Sequence, residues 1–327
     1  MGHSWRDSPA SWKTLHGVAA AIFVALATIV PAFASPALDQ GGDRTLTRAT
    51  NVKSEEDKRA LSWSGMNGST PRRRRHLTIS DLTSLQTAFG EYCSDPATAE
   101  STYGSIKDWD ISSVTSLDSL MASCSTASSF NADLSGWDVS SVTNINSAFY
   151  NAESFNCDMS TWDVGAGPVK TMYRTFRGAA VFSGNIGTWD VSGVTSILQA
   201  FTEATVFNDD ISAWSVSKVT SIASTFYLAS SFNADLSSWD VSRVQTMAYA
   251  FRNTAAFNSD LSTWDVEKVT DLTGTFASAD AFDQNLNTWV TSSVTSLDKS
   301  FWANQVFNGD VTTWDTSSVT NFAGTFK

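Results

Sequence analysis

Seven aspartates each follow a tryptophan directly: Asp110, Asp138, Asp163, Asp190, Asp240, Asp265 and Asp315. A second acidic row runs Asp133, Asp158, Asp210, Asp235, Asp260 and Asp310, with Asn185 and Asn285 in register. Carboxylates at a fixed interval can serve acid–base catalysis, Ca²⁺ coordination or recognition of cations along a face. Catalysis needs a singular, converging constellation, and here every Asp recurs in lockstep with its copies. The three His are His3, His16 and His76, so no Ser-His-Asp, Cys-His or His-metal centre can form after residue 76. No enzymatic activity is expected. Ca²⁺ takes six to eight oxygens, but neither the EF-hand spacing nor a Gly-rich nonapeptide is present. Hydrogen bonding to turn N–H groups is the stronger reading of the second row, because Asn at two places keeps the acceptor without the charge. No metal and no cofactor is expected, with a Ca²⁺ ladder as the alternative. The first row is the candidate ligand-binding face. An acidic strip favours basic partners or cation-bridged glycans; a merely solvated acidic face is an equal alternative.

A repeat must position these rows. Trp109, Trp137, Trp162, Trp189, Trp214, Trp239, Trp264, Trp289 and Trp314 follow at intervals of 28, 25, 27, 25, 25, 25, 25 and 25. The longer intervals hold an extended loop around Cys124 and the run Gly165-Ala166-Gly167-Pro168. Such a period marks a solenoid. It is too short for a WD40 blade, which needs about 40–45 residues and a Gly-His pair. Leu261-x-x-Trp264-x-Val266 has the spacing of a leucine-rich-repeat strand, with Trp and Val inward and Asp outward. Val269, Leu272, Phe276 and Ala279 then recur at helical spacing. Ser242 with Gln245 reads as a capping box, and Ser140, Ser192 and Ser217 hold the same N-cap position. The expected fold class is therefore α/β: a leucine-rich-repeat-like solenoid over 104–327 of about nine 25-residue coils, each a short strand plus a short helix. At about 4.8 Å per coil it would be roughly 45 Å long. The Trp and Phe should stack on their counterparts as a continuous core.

Residues 76–103 should form an N-terminal cap. Ser80–Tyr92 reads as a capped amphipathic helix with Leu82, Leu85, Phe89 and Tyr92 on one face. Cys93 follows this helix and Cys124 lies in the enlarged loop, so a Cys93–Cys124 bridge is expected. Cys157 is left over, either a free thiol by chance or a dimer-forming one. The sequence stops at Lys327 within a repeat, with no second cap. That implies truncation, or an apolar edge covered by a partner, and end-to-end self-association through the uncapped coil is kept open.

Upstream, residues 17–34 form an apolar run ending in Ala32-Phe33-Ala34, which reads as a cleaved signal peptide over 1–34. It is short and Pro-interrupted for a span, so no membrane span is expected in the mature chain. Residues 35–75 read as a disordered spacer or propeptide. Its closing Arg72, Arg73, Arg74 and Arg75 offer a processing site for a basic-directed protease, with a solvated linker as the alternative. The one Asn-x-Ser/Thr sequon, Asn67-Gly68-Ser69, lies there too. Residues 1–75 hold 11 Lys+Arg and 6 Asp+Glu, and residues 76–327 hold 10 and 27. Residues 76–327 thus carry a formal −17 against −12 for the chain, which excludes nucleic acid as a partner.

The pattern Phe-Asn-x-Asp-Leu-Ser-x-Trp-Asp-Val-Ser-x-Val-Thr-x-Met-x-x-x-Phe, best kept at 232–251 and 257–276, resembles the BspA-like leucine-rich repeat family, also called DUF285. The lead-in Tyr103–Asp110 is similar to that of secreted members. The resemblance covers roughly 80–327. It implies a secreted or surface-displayed, right-handed solenoid with adhesion or protein recognition as its role, and it supplies no catalytic residue. Ser215 and Val290 depart from the Asp after Trp, and Met121 from the Phe. The expected function is a non-catalytic binding or adhesion module for extracellular proteins or glycans; the alternative is a cell-wall or matrix component assembling end to end.

Overall fold

The computed structural model describes residues 79–165, 167 and 169–327, all within the unit Pro71–Lys327. The signal peptide, spacer, arginine cluster and sequon expected from the sequence lie outside these residues.

Two helices open the described chain. Helix α1, Leu82–Ser94, starts on a capping box in which the Asp81 carboxylate accepts from Ser84 N–H and the Ser84 hydroxyl accepts from Asp81 N–H. Its buried face is Leu85, Ala88, Phe89 and Cys93. Phe89 meets Phe130 at 4.9 Å and Trp137 at 6.3 Å between ring centroids. Gly90 lets the helix approach the Ser123 carbonyl, which a Cβ would meet at 2.9 Å. Helix α2, Pro96–Tyr103, is capped by Asp95 and has Pro at its first position, where no N–H is needed.

After Tyr103 the chain does not form the expected strand-plus-helix coils. Among the described residues there is no α-helix beyond α2 and no β-strand; the repeats join through isolated parallel bridges. One residue per coil carries the bridge, in the series Thr171, Ser196, Ser221, Thr246, Asp271, Ser296 and Asn321. The α/β, leucine-rich-repeat-like reading is therefore overturned, and the hydrogen bonds give the reason.

An α-helix closes every N–H onto the carbonyl four residues back. Here the amides alternate. Ala250, Arg252 and Thr254 donate three residues back, to Met247, Tyr249 and Phe251 (2.9, 3.3 and 3.3 Å). Met247, Tyr249, Phe251 and Asn253 donate instead to Asp271, Thr273, Thr275 and Ala277 of the next coil (3.0, 2.8, 2.9 and 2.8 Å). Tyr249 and Asn253, both at φ 59°, break any helical run after each turn. The segment is a chain of tight turns whose side chains happen to recur at helical spacing, with Val269, Leu272, Phe276 and Ala279 all buried. The strand half closes tightly as well: Trp239 N–H donates to Leu236 and Val244 N–H to Val241 (3.0 and 2.8 Å). Ser242 and Gln245 consequently cap no helix, nor do Ser140, Ser192 and Ser217.

Trp and Val do point inward and Asp outward. Trp239 and Val241 are buried while Asp240 is exposed. Phe176, Phe201, Phe226, Phe251 and Phe276 stack in one column at 5.7–5.8 Å. Phe182, Phe207, Phe232, Phe257 and Phe282 form a second at 5.8–6.2 Å. Within a coil the two columns touch, Phe226 and Phe232 at 3.8 Å. Each Trp also binds the coil before it: Trp214 Nε1 donates to Ile186 O at 3.1 Å and Trp239 Nε1 to Ile211 O at 3.1 Å. The indole therefore fills the core and satisfies a buried carbonyl that would otherwise be costly.

Candidate functional site

The first acidic row is a row of turns. The carboxylates of Asp138, Asp190, Asp240 and Asp315 accept from the N–H two residues on, in Ser140, Ser192, Ser242 and Ser317, at 2.9–3.1 Å. Asp265 accepts from Glu267 N–H at 3.1 Å, and Asp110 from Ser112 N–H and Oγ at 3.2 and 2.6 Å. These bonds hold the carboxyls of Asp138 and Asp240 below the usual range, the Ser140 and Ser242 side chains contributing most. For Asp190 and Asp315 the backbone N–H contributes most. Asp163 is exposed, like most of the row, while Asp110 is half-buried.

The second row does the same one turn earlier. Asp158, Asp210, Asp235, Asp260 and Asp310 accept from Ser160, Ser212, Ser237, Ser262 and Thr312 N–H at 2.8–3.0 Å. Asp133 adds an ion pair with Lys107 at 2.7 Å, which pushes its carboxyl far down. Asn285 instead accepts from Asp310 N–H of the next coil at 2.9 Å. No group of three or more His, Cys, Asp or Glu that could hold a metal lies together among the described residues.

Cys93 and Cys124 form a disulfide with Cα atoms 5.2 Å apart, tying α1 to the first coil. Cys157 is free and buried. Its Sγ accepts from Leu134 N–H at 3.1 Å, the task that Ser259 Oγ performs for Leu236 and Asp209 Oδ2 for Ile186. Burial pushes the Cys157 thiol up, and the bond it accepts gives it a structural place in the stack.

A face absent from the sequence reading lies over the left-handed turns. Two positions in most coils have positive φ, and Asn185 of the second acidic row has it as well, at 57°. One is held in turn by Ser119, Ser147, Arg174, Gln199, Ser224, Tyr249, Gly274, Lys299 and Gly324; the other includes Asn151, Gly178, Glu203, Leu228 and Asn253. The backbone repeats while the side chain changes. Four of the chain's six Tyr (Tyr150, Tyr173, Tyr227 and Tyr249) sit at or beside these turns, with Arg174, Arg177 and Arg252. Arg174 lies over the Tyr173 ring at 4.6 Å and Arg177 over Tyr150 at 5.8 Å. Arg252 lies between Tyr249 and Tyr227, at 5.5 and 5.9 Å. Gln199 Oε1 accepts from Arg174 Nε (2.7 Å) and Arg177 Nη1 (3.3 Å), and Glu203 pairs with Arg177 at 3.5 Å. The Nε atoms of Arg177 and Arg252 are buried without a partner.

A repeat of this kind has a family model. The model described as "Mycoplasma protein of unknown function, DUF285" matches residues 97–167, 165–262 and 233–327. The chain belongs to the DUF285 family. No curated protein and no solved structure matches it. In this DUF285 chain the signal for the Tyr/Arg face was available without structure. Aligned on their Trp, the copies agree at core positions and disagree at 248–249 and 252–253 of the frame. No helix among the described residues is long and apolar enough to cross a membrane.

Proposed function

We propose that this chain is a secreted or cell-surface, non-catalytic binding module for extracellular proteins or glycans, a BspA-like member of the DUF285 family. The observation that carries the reading is the change of side chain from coil to coil over an unchanging turn. Arg174, Gln199 and Tyr249 occupy a left-handed position that costs a non-glycine residue of order 1–3 kcal/mol, where Gly274 and Gly324 show that glycine serves. Strain accepted for the sake of a side chain points to a use for that side chain. Tyr, Trp and Arg are also the residues that dominate binding hot spots. The apolar run at 17–34 supports secretion.

Incubating the purified full chain on a combined glycan and extracellular-protein array tests this. Binding that is lost in a Tyr249→Ala, Arg252→Ala double variant supports it; a blank array sinks it. End-to-end assembly into a cell-wall or matrix component is the alternative reading. A head-to-tail stack, however, needs an open first coil as well, and α1 covers it. A sedimentation profile that stays monomeric at high concentration removes this reading.

A further inference from the structure

The first coil departs from the repeat twice, and both departures meet at one place. Met121 stands in the column occupied by Phe149, Phe176 and Phe201, and the interval from Trp109 to Trp137 is 28 residues, not 25. A cavity of about 400 Å³ lies there, lined by Ser119, Met121, Ser147, Tyr150, Asn151 and Arg174. That volume falls in the lower part of the range of small-molecule sites, about 300–1,000 Å³.

We propose that this cavity binds a single carboxylated sugar unit, such as a hexuronate at the end of a glycan chain. The assignment rests on the binding-module reading above. Arg174 is the cation of the site, and its planar fork matches a carboxylate. It is pre-organised: Gln199 holds its Nε, Tyr173 lies under its guanidinium, and its backbone is fixed at φ 55°. Glu203 already pairs with Arg177, so the neighbouring arginine is neutralised in place. Ser119, Ser147 and Asn151 supply hydroxyl and amide groups for a polyhydroxy ligand, and Tyr150 with Met121 supplies an apolar wall. The Cys93–Cys124 disulfide stiffens the wall at Cys124. Charge selects one acidic unit over many. A polyanion is repelled by residues 76–327, which carry a formal −17, whereas a single carboxylate meets Arg174 locally.

The experiment uses the purified full chain and saturation-transfer NMR titrations with methyl β-glucuronide, methyl β-glucoside and an acetylated diglutamyl amide. The glucuronide should bind at least tenfold tighter than the other two, and Arg174→Gly should weaken it at least tenfold. That variant keeps the fold readable, because Gly274 and Gly324 hold the same backbone position, so its thermal midpoint should be unchanged or higher. Arg243→Ala, at an exposed arginine outside the turn face and the cavity lining, should leave the affinity intact. Equal binding of glucoside and glucuronide, preference for the peptide, no binding of any probe, or unchanged affinity in Arg174→Gly overturns the assignment. Array binding by a chain that binds none of the three probes removes the cavity site and leaves the binding-module reading standing.

Discussion

Phe226 and Tyr227 are adjacent in sequence and belong to two different kinds of surface. Phe226 is fully buried, stacked on Phe201 and Phe251 in neighbouring coils. Tyr227 stands half-buried on the turn face, 5.9 Å from the Arg252 guanidinium. Most counterparts behave accordingly, Phe149, Phe176, Phe251 and Phe301 against Tyr150, Arg177, Arg252 and Trp302, while the small Thr202 and Ala277 stay buried. An inward side chain has its own copies as packing partners, so identity is imposed in both directions along the stack. An outward one answers only to its turn, so the position is free to diverge. Regularity marks the scaffold, and irregularity marks the surface that can acquire a ligand.

The contrast can be broken by experiment, and the largest effect should come from its interior side. Phe226→Ala should destabilise the chain by about 3–5 kcal/mol, the usual cost of emptying a packed ring site, while Tyr227→Ala should cost under about 1.5 kcal/mol. Guanidinium unfolding of both variants compares them directly, and equal losses would erase the distinction. Next comes the disulfide. Closing a loop with a separation of 31 residues is worth about 3–4 kcal/mol, so a Cys93→Ser, Cys124→Ser variant should lose about that much. Hydrogen exchange should show α1 unprotected first; uniform loss of protection along the chain would contradict a local staple.

A smaller effect tests the turns. Ser224→Gly should stabilise by up to about 1 kcal/mol by relieving left-handed strain. Gly274→Ala should act in the opposite direction, since its Cβ would meet the Tyr249 ring at 2.6 Å. Thermal midpoints that move the same way in both would show that the left-handed residue is not what shapes the coil. The smallest effect concerns the acidic rows. Asp240→Ala should cost about 0.5–1.5 kcal/mol and Asp240→Asn almost nothing, because the amide keeps the acceptor for Ser242 N–H. Asp138, Asp190 and Asp240 have folded-state pKa values below their ordinary ones. Their contribution is therefore present above about pH 4 and is lost as pH falls below that through the folded values. Melting at pH 7, 4.5 and 3 should show a drop only at the last step, reduced in Asp240→Asn.

Much of the scaffold was legible in the sequence, for reasons the structure makes plain. The Trp period, the inward Trp and Val, the outward Asp and the capped helix at 82–94 all follow from burial and capping chemistry. The secondary structure within the coil was not legible. Val269, Leu272, Phe276 and Ala279 satisfy a helical period equally well in a run of tight turns. The residues that set the turns, Leu228, Tyr249 and Lys299 among them, are not the glycine or asparagine that would have announced left-handed backbone. The strand reading failed likewise, since one bridging residue per coil leaves no alternating stretch to read. The second Asp row was correctly read as turn capping, whereas the first was read on a strand face and lies at turns, and the Tyr/Arg face needed a comparison between copies rather than a search for repeated chemistry.

The alternating amides have a consequence for how such a chain can change in length. Each coil closes half of its turn amides on itself and offers the rest to its neighbour in fixed register, along with an indole N–H and two ring columns. A fragment of a coil would misalign all of these at once, whereas a whole copy inserts with every donor facing an acceptor. Growth and loss are therefore quantised in blocks of one repeat. Odd residues are tolerated only in loops outside the shared columns, as at Cys124, and each added block brings a fresh set of turn-face side chains on which new specificity can be written.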